Sequence, residues 1–204
     1  MSARKYSRSK YIQANGINHH YLEWGNPASH PLIMLHATGL CGSTWTPIAE
    51  RLSQDYLVMA FDQRGHGDTD DSDRGYSFQL AGEDLVALVQ ALELANIYAV
   101  GHSSGGLSTL IAGSMLPDRF EKVVLVETRV GNQPATVPAQ DLQIRAERTR
   151  MKRSVWESQQ AMFSAYRDRT AFKDWHDDAF TAFIEGGTKP LDDGQVQLQC
   201  LPEV

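Results

Sequence analysis

Cysteine is scarce in these 204 residues: Cys41 and Cys200 are far apart, and neither has a second cysteine near it. A disulfide scaffold and a cysteine-rich zinc site are therefore excluded, and neither a metal nor a cofactor is expected. Long apolar runs are missing too. No stretch approaches the roughly 20 apolar residues that a membrane-spanning helix needs, so no membrane partner is expected. Residues 1–15 carry Arg4, Lys5, Arg8 and Lys10 with no apolar segment behind them. That pattern is not a secretory signal, and a cytoplasmic protein is the expectation. Positive charge is in short supply, with 19 Lys and Arg against 25 Asp and Glu and a formal charge of −6. Without a basic stripe to neutralise phosphates, nucleic acid is not expected as a partner, and a small neutral or modestly charged molecule fits better. There is no internal repeat or low-complexity tract. With 42% hydrophobic residues, 16 glycines and 8 prolines, the chain has the composition of an ordinary globular protein.

What the sequence does contain is a periodic pattern. Over the first 130 residues short apolar runs alternate with longer segments of helical period, the mark of βαβ units and a doubly wound, mostly parallel α/β sheet. Strands are predicted at 19–24 (HHYLEW), 31–36 (PLIMLH), 56–61 (YLVMAF), 97–102 (IYAVGH) and 123–126. The continuous apolar runs read as strands covered on both faces. A helix is predicted over 43–52, with Trp45, Ile48 and Leu52 on one face. Another follows Ser77, an N-cap residue, with Leu85, Leu88, Val89 and Leu92 at helical spacing. A third, over 105–115, is rich in small residues and ends at Pro117. After about residue 129 strands stop and polar helical segments take over, at 139–152, 155–166 and 175–184, with Gly186 and Gly187 closing the last. Residues 195–200 alternate polar and apolar, as a short strand would, until Leu201 and Pro202 cut it off. The expected division is a core over 1–130 and, over 131–204, a helical lid with the start of a return to the core.

The strongest local signal is Gly101, His102, Ser103, Ser104, Gly105, Gly106, a G-x-S-x-G pattern between a predicted strand and a predicted helix. A serine forced into a sharp strand-to-helix turn sits in a strained conformation, and a side chain two residues before or after it would collide, hence the glycines. The turn exposes the Ser103 hydroxyl above the sheet. It also brings the Ser104 N–H to a helix N-terminus, where negative charge developing on an attacked carbonyl is favoured. The plainer alternative is a tight βα turn without chemistry. Ser104 competes as the nucleophile, but the register of the glycines favours Ser103.

These residues resemble the α/β-hydrolase superfamily, in particular its lid-bearing esterase, lipase and C–C hydrolase-like members. His36, Ala37, Thr38 and Gly39, at a strand end, resemble the family's His-Gly oxyanion loop, with Ala37 where glycine is usual. Asp62, Gln63, Arg64, Gly65, His66 and Gly67 resemble its D-x-R-G-x-G loop, and residues 101–105 its nucleophile elbow. The resemblance covers about residues 12–130. It implies that Thr38 donates a second oxyanion N–H beside that of Ser104. His36 reads as a strand-end histidine shaping this loop, with Gly101, His102 and Gly105 supporting the elbow. Asp62, Arg64 and His66 read as groups that satisfy their own loop's backbone.

A serine hydroxyl is a weak nucleophile until a base takes its proton, and in this fold the chain order is Ser, then Asp or Glu, then His. Downstream of Ser103 the one histidine is His176, in a predicted lid helix, where a solvated side chain is the expected reading. Glu127 is the acid placed at a strand end facing the site, and some family members carry their acid there. The alternative for Glu127 is a backbone hydrogen bond or a pair with Arg129. The chain is thus expected to stop inside the fold without its last two strands. The run 123–126 would then be an apolar edge, prone to association through homo-oligomers or a partner chain.

The leading functional expectation is a serine hydrolase acting on a small ester-like substrate through an acyl-enzyme on Ser103. The alternatives are a catalytically incomplete or small-molecule-binding protein, and a C–C hydrolase or cofactor-free haloperoxidase-like enzyme. A serine at the elbow argues against haloalkane dehalogenase and epoxide hydrolase chemistry. Trp156, Met162, Phe163, Phe172, Trp175, Phe180 and Phe183 supply either an apolar acyl or aryl pocket or lid packing.

Overall fold

The chain begins with a hairpin. In the computed structural model, which describes residues 7–130 and 153–200, β1 (Arg8–Ala14) pairs antiparallel with β2 (Ile17–Trp24), and Ala14 faces Ile17 across the turn. Asn15 and Gly16 take positive φ of 47° and 85°, the two-residue turn whose twist matches that of the strands. The sequence placed no strand before residue 19, and the hairpin adds β1 and extends β2 back to Ile17. The signal was the Asn-Gly pair.

The remaining strands of the main sheet are β3 (His30–Leu35), β4 (Tyr56–Phe61), β5 (Ile97–His102) and β6 (Phe120–Val126). Their order is β1-β2-β4-β3-β5-β6; β3 pairs parallel with β4 and β5, β5 pairs parallel with β6, and β2 joins β4 antiparallel. Alternation along β3 explains the two-sided cover. Ile33 and Leu35 pack with Leu85, Leu88 and Val89 of α2 (Phe78–Ala91) and Ala112 of α3 (Ser104–Met115). Leu32 and Met34 pack on the opposite face with Ala49 of α1 (Thr46–Leu52). Ser77 caps α2 as the sequence predicts, its hydroxyl accepting from Leu80 N–H. The helix predicted over 43–52 begins as a 3-10 turn, Gly42–Trp45, and becomes α-helical at Thr46.

β6 ends the sheet order, and Val123, Val124, Leu125 and Val126 are all exposed, Val124 at 55%.

Residues 153–200 contain α4 (Gln159–Arg167) and α5 (Asp177–Gly186), together with β7 (Val155–Trp156), β8 (Thr188–Pro190) and β9 (Val196–Leu198) in a small antiparallel sheet of order β7-β9-β8. Strands therefore do not stop at residue 129. The helix predicted over 155–166 is a strand first, because the Ser158 hydroxyl accepts from Ala161 N–H and caps α4 there. The strand predicted in 195–200 is present as β9, and the helix predicted over 139–152 lies outside the described residues. Trp156, Met162, Tyr166, Phe180 and Phe183 bury one another around Cys41, and the Ser43 hydroxyl donates to Ala182 O at 2.8 Å. No helix among the described residues is long and apolar enough to cross a membrane.

Candidate active site

The turn between β5 and α3 holds Ser103 at φ 50° and ψ −112°, a conformation that costs a residue other than glycine about 1–3 kcal/mol. Three backbone hydrogen bonds impose it: Ser103 N–H donates to Val126 O at 2.9 Å, and Ser103 O accepts from Gly106 N–H at 3.1 Å and Leu107 N–H at 3.3 Å. The flanking glycines are there because backbone passes close by. A Cβ at Gly101 would lie 2.5 Å from Gly106 Cα, and one at Gly105 would lie 2.5 Å from Leu35 O and 2.6 Å from His36 O. Close contact among β5, α3 and the end of β3 thus fixes the serine.

Ser104 is the first residue of α3 and is buried, with its Oγ 3.5 Å from Gln63 Nε2. Thr38 is exposed on the loop after β3. A cavity of about 210 Å3 touches both, along with Gln63, His66, Tyr76 and Phe78. A second cavity, about 190 Å3 and mainly apolar, lies between His36, Leu40, Trp45, Ile48, His102 and Trp175. Of the seven aromatic and methionine residues predicted for a pocket, Trp175 lines this one, whereas Trp156, Met162, Phe180 and Phe183 are buried among themselves.

His36 is fully buried. Its Nδ1–H donates to Ala37 O at 2.9 Å and its Nε2 accepts from Gln63 N–H at 3.0 Å. Burial lowers its pKa more strongly than Asp62 and Ala37 O raise it, so the ring is neutral and both nitrogens are engaged. Asp62 is also buried. Burial by itself would raise its pKa, but the hydrogen bond and charge of His20 and the Gly42 N–H hold the carboxyl below its ordinary value. Its oxygens accept from Gly42 N–H at 2.6 Å, Asp68 N–H at 3.0 Å and His20 Nδ1–H at 2.6 Å. Arg64 forms a two-pronged pair with Asp84 at 2.6 and 2.7 Å and donates to Gly75 O at 2.8 Å, tying its loop to α2.

Gln63 is the residue that sequence reasoning passed over. Its Nε2 donates to His36 O at 2.6 Å and its Oε1 accepts from Ser108 Oγ at 3.0 Å, so one side chain joins the end of β3 to the first turns of α3. The available signal was its place directly after Asp62 in the Gly-rich loop.

Glu127 follows β6, exposed and at φ 49°, and no Glu127–Arg129 ion pair occurs among the described residues. His176 caps α5 by accepting from Asp178 N–H at 3.4 Å, and its side chain is 76% exposed. Among the described residues neither one hydrogen-bonds to Ser103, and no group of three His, Cys, Asp or Glu is placed to hold a metal ion.

Comparison with known proteins agrees with this architecture. The family model described as alpha/beta hydrolase fold matches residues 30–179. A non-heme chloroperoxidase of Streptomyces lividans is 34% identical over 116 residues, 55% of this chain and 42% of the relative. An N-formylmaleamate deformylase of Pseudomonas putida is 31% identical over 120 residues, 58% of this chain and 44% of the relative. The chain therefore spans less than half the length of these relatives. The crystal structure of E-2-(acetamidomethylene)succinate hydrolase superposes with a TM-score of 0.81 at 22% identity, covering 97% of this chain and 70% of that one. A mostly parallel sheet in this strand order, a strained serine between β5 and α3, and a family match over most of the chain lead to one conclusion: the chain belongs to the α/β-hydrolase fold family.

Proposed function

We propose that this chain carries the nucleophile of a serine hydrolase acting on an ester or related carbonyl compound with an apolar acyl or aryl group. The observation that carries the reading is the backbone of Ser103, held at positive φ between glycines that tolerate no Cβ. Strain of this kind persists only where the surroundings impose it, and it concentrates at reactive centres. Ser103 Oγ attacks the carbonyl carbon, and the oxyanion is met by the N–H groups of Ser104, at the N-terminus of α3, and of Thr38. The carbon–oxygen bond to the alcohol breaks and the alcohol takes the proton that Ser103 gave up; water then adds to the acyl carbon, returns a proton to Ser103 Oγ and releases the acid. His36, Gly101, His102 and Gly105 position these groups without exchanging protons. Glu127 is assigned the role of acid on its place at the end of β6, and a histidine base is required to complete the relay. The apolar cavity at Trp45, Ile48 and Trp175 supports the choice of acyl group.

The test is acyl trapping. With 4-nitrophenyl butyrate the parent chain should gain one butyryl group, mapped by peptide mass to Ser103 and absent from Ser103→Ala. A folded chain that acquires no acyl group at Ser103 contradicts the reading and favours a protein that binds small molecules without turnover. The chloroperoxidase relative favours a second use of the same serine, cofactor-free haloperoxidase-like chemistry.

A further inference from the structure

A second serine among the described residues, Ser9, has a histidine and a buried carboxylate in line with it. On β1, Ser9 lies opposite Leu22, and Ser9 Oγ is 2.9 Å from His20 Nε2. His20 Nδ1 is 2.6 Å from Asp62 Oδ2, and both side chains are about 5% exposed or less. Asp62 also accepts two main-chain N–H groups, from Gly42 and Asp68. A carboxylate is an acceptor only, so His20 Nδ1 carries the proton toward Asp62, and in the neutral tautomer Nε2 is the acceptor that Ser9 Oγ–H meets. The Tyr11 ring packs against the imidazole, its centroid 4.9 Å from that of the His20 ring. A cavity of about 120 Å3 opens on Ser7, Ser9, His20, Ser43, Asp62 and Gly186.

We infer that Ser9, His20 and Asp62 form a second nucleophilic centre, separate from the elbow, that accepts small acyl groups from activated esters. Ser9 Oγ forms the bond to the carbonyl carbon while its proton passes to His20 Nε2. The carbon–oxygen bond to the leaving group breaks, and that group departs with the proton from His20. Water then gives a proton to His20 and adds to the acyl carbon, the carbon–Ser9 Oγ bond breaks as His20 returns that proton to Ser9 Oγ, and the acid leaves. Asp62 stays ionised throughout and holds the ring. The cavity size restricts the acyl group to a small one. The oxyanion is poorly served, since Ser43 Oγ is committed to Ala182 O. Each missing oxyanion donor removes about 10²–10³ in rate, so only esters with good leaving groups react.

The experiment uses the full chain carrying Ser103→Ala, so that failure at the elbow and failure here are read on different peptides. After treatment with 4-nitrophenyl acetate, mapping with a protease other than trypsin, because Arg8 and Lys10 flank the site, should place one acetyl group on Ser9. Adding Ser9→Ala should remove it. As a measure of the base independent of that result, Ser9→Cys should react with iodoacetamide about ten-fold or more faster than Ser7→Cys, because a thiol beside an imidazole is more ionised. Cys41 and Cys200 are buried and supply a low background. Absence of acetyl at Ser9 in folded protein, or equal alkylation at positions 7 and 9, overturns the proposal.

Discussion

His36 and His66 hold each other's loops. Their ring centroids are 5.0 Å apart; His36 Nε2 accepts from Gln63 N–H in the loop that carries His66, and His66 Nε2 accepts from Gly39 N–H in the loop that carries His36, both at 3.0 Å. This reciprocal brace fixes the strand-end loop bearing Thr38 against the one bearing Gln63, and through Gln63 against the first turns of α3.

Replacing His36 by Leu leaves the Gln63 N–H without its acceptor in the interior. An unsatisfied buried donor costs about 1–3 kcal/mol, so the urea midpoint of His36→Leu should fall by that equivalent.

The same burial sets a pH dependence. Burial is the main cause that lowers both His36 and His19, so each is neutral in the fold and takes up a proton on unfolding once the pH drops below the ordinary value of 6.5. The unfolded chain then binds more protons, so stability is full above that pH and declines as pH falls through 6 and 5. Asp62, held below its ordinary 3.8, adds a second decline at lower pH. Urea titrations from pH 7.5 to 4.5 should show a falling midpoint; a flat profile contradicts the assignment.

The strain at Ser103 predicts a gain from removing its side chain. Relief of about 1–3 kcal/mol exceeds the chain-entropy cost of glycine, about 0.5–1 kcal/mol, so Ser103→Gly should be the more stable protein. Ser103→Ala keeps the strain and should unfold like the parent. Gly105→Ala, whose Cβ would press on Leu35 O and His36 O, should lose about 1–3 kcal/mol by the same measurement.

Arg64 and Asp84 are buried together, with side chains 3% and 5% exposed. Asp84→Ala strands the guanidinium in the interior and should cost about 3–5 kcal/mol. Arg64→Lys loses the planar fork and should not restore the parent's melting temperature.

Among the described residues β6 ends the sheet order with an exposed, apolar row from Val123 to Val126. Light scattering should detect concentration-dependent association of the parent chain, and Val124→Lys should reduce it, because a charged edge resists strand pairing.

Much of this architecture could be read from residue order. Buried parallel strands show as unbroken apolar runs, so 56–61 and 97–102 coincide with β4 and β5 to the residue. The Ser103 turn was legible because its glycines answer a local steric demand. The β1 strand was not, since an edge hairpin exposed on one side has no apolar run and is marked only by Asn15 and Gly16. Trp156 was misread as helical because two apolar residues carry no period. The contacts of Gln63 with His36 and Ser108, and of His20 with Asp62, join residues far apart in sequence, and no spacing rule reaches them.

Reaction of the folded chain with a fluorophosphonate carrying an alkyl chain, followed by peptide mapping, asks directly whether the bend after β5 presents a nucleophile. Phosphonylation of Ser103, faster than at exposed serines such as Ser114 and lost on heat unfolding, is the predicted result. A folded chain in which Ser103 stays unmodified, or reacts no faster than Ser114, contradicts the account.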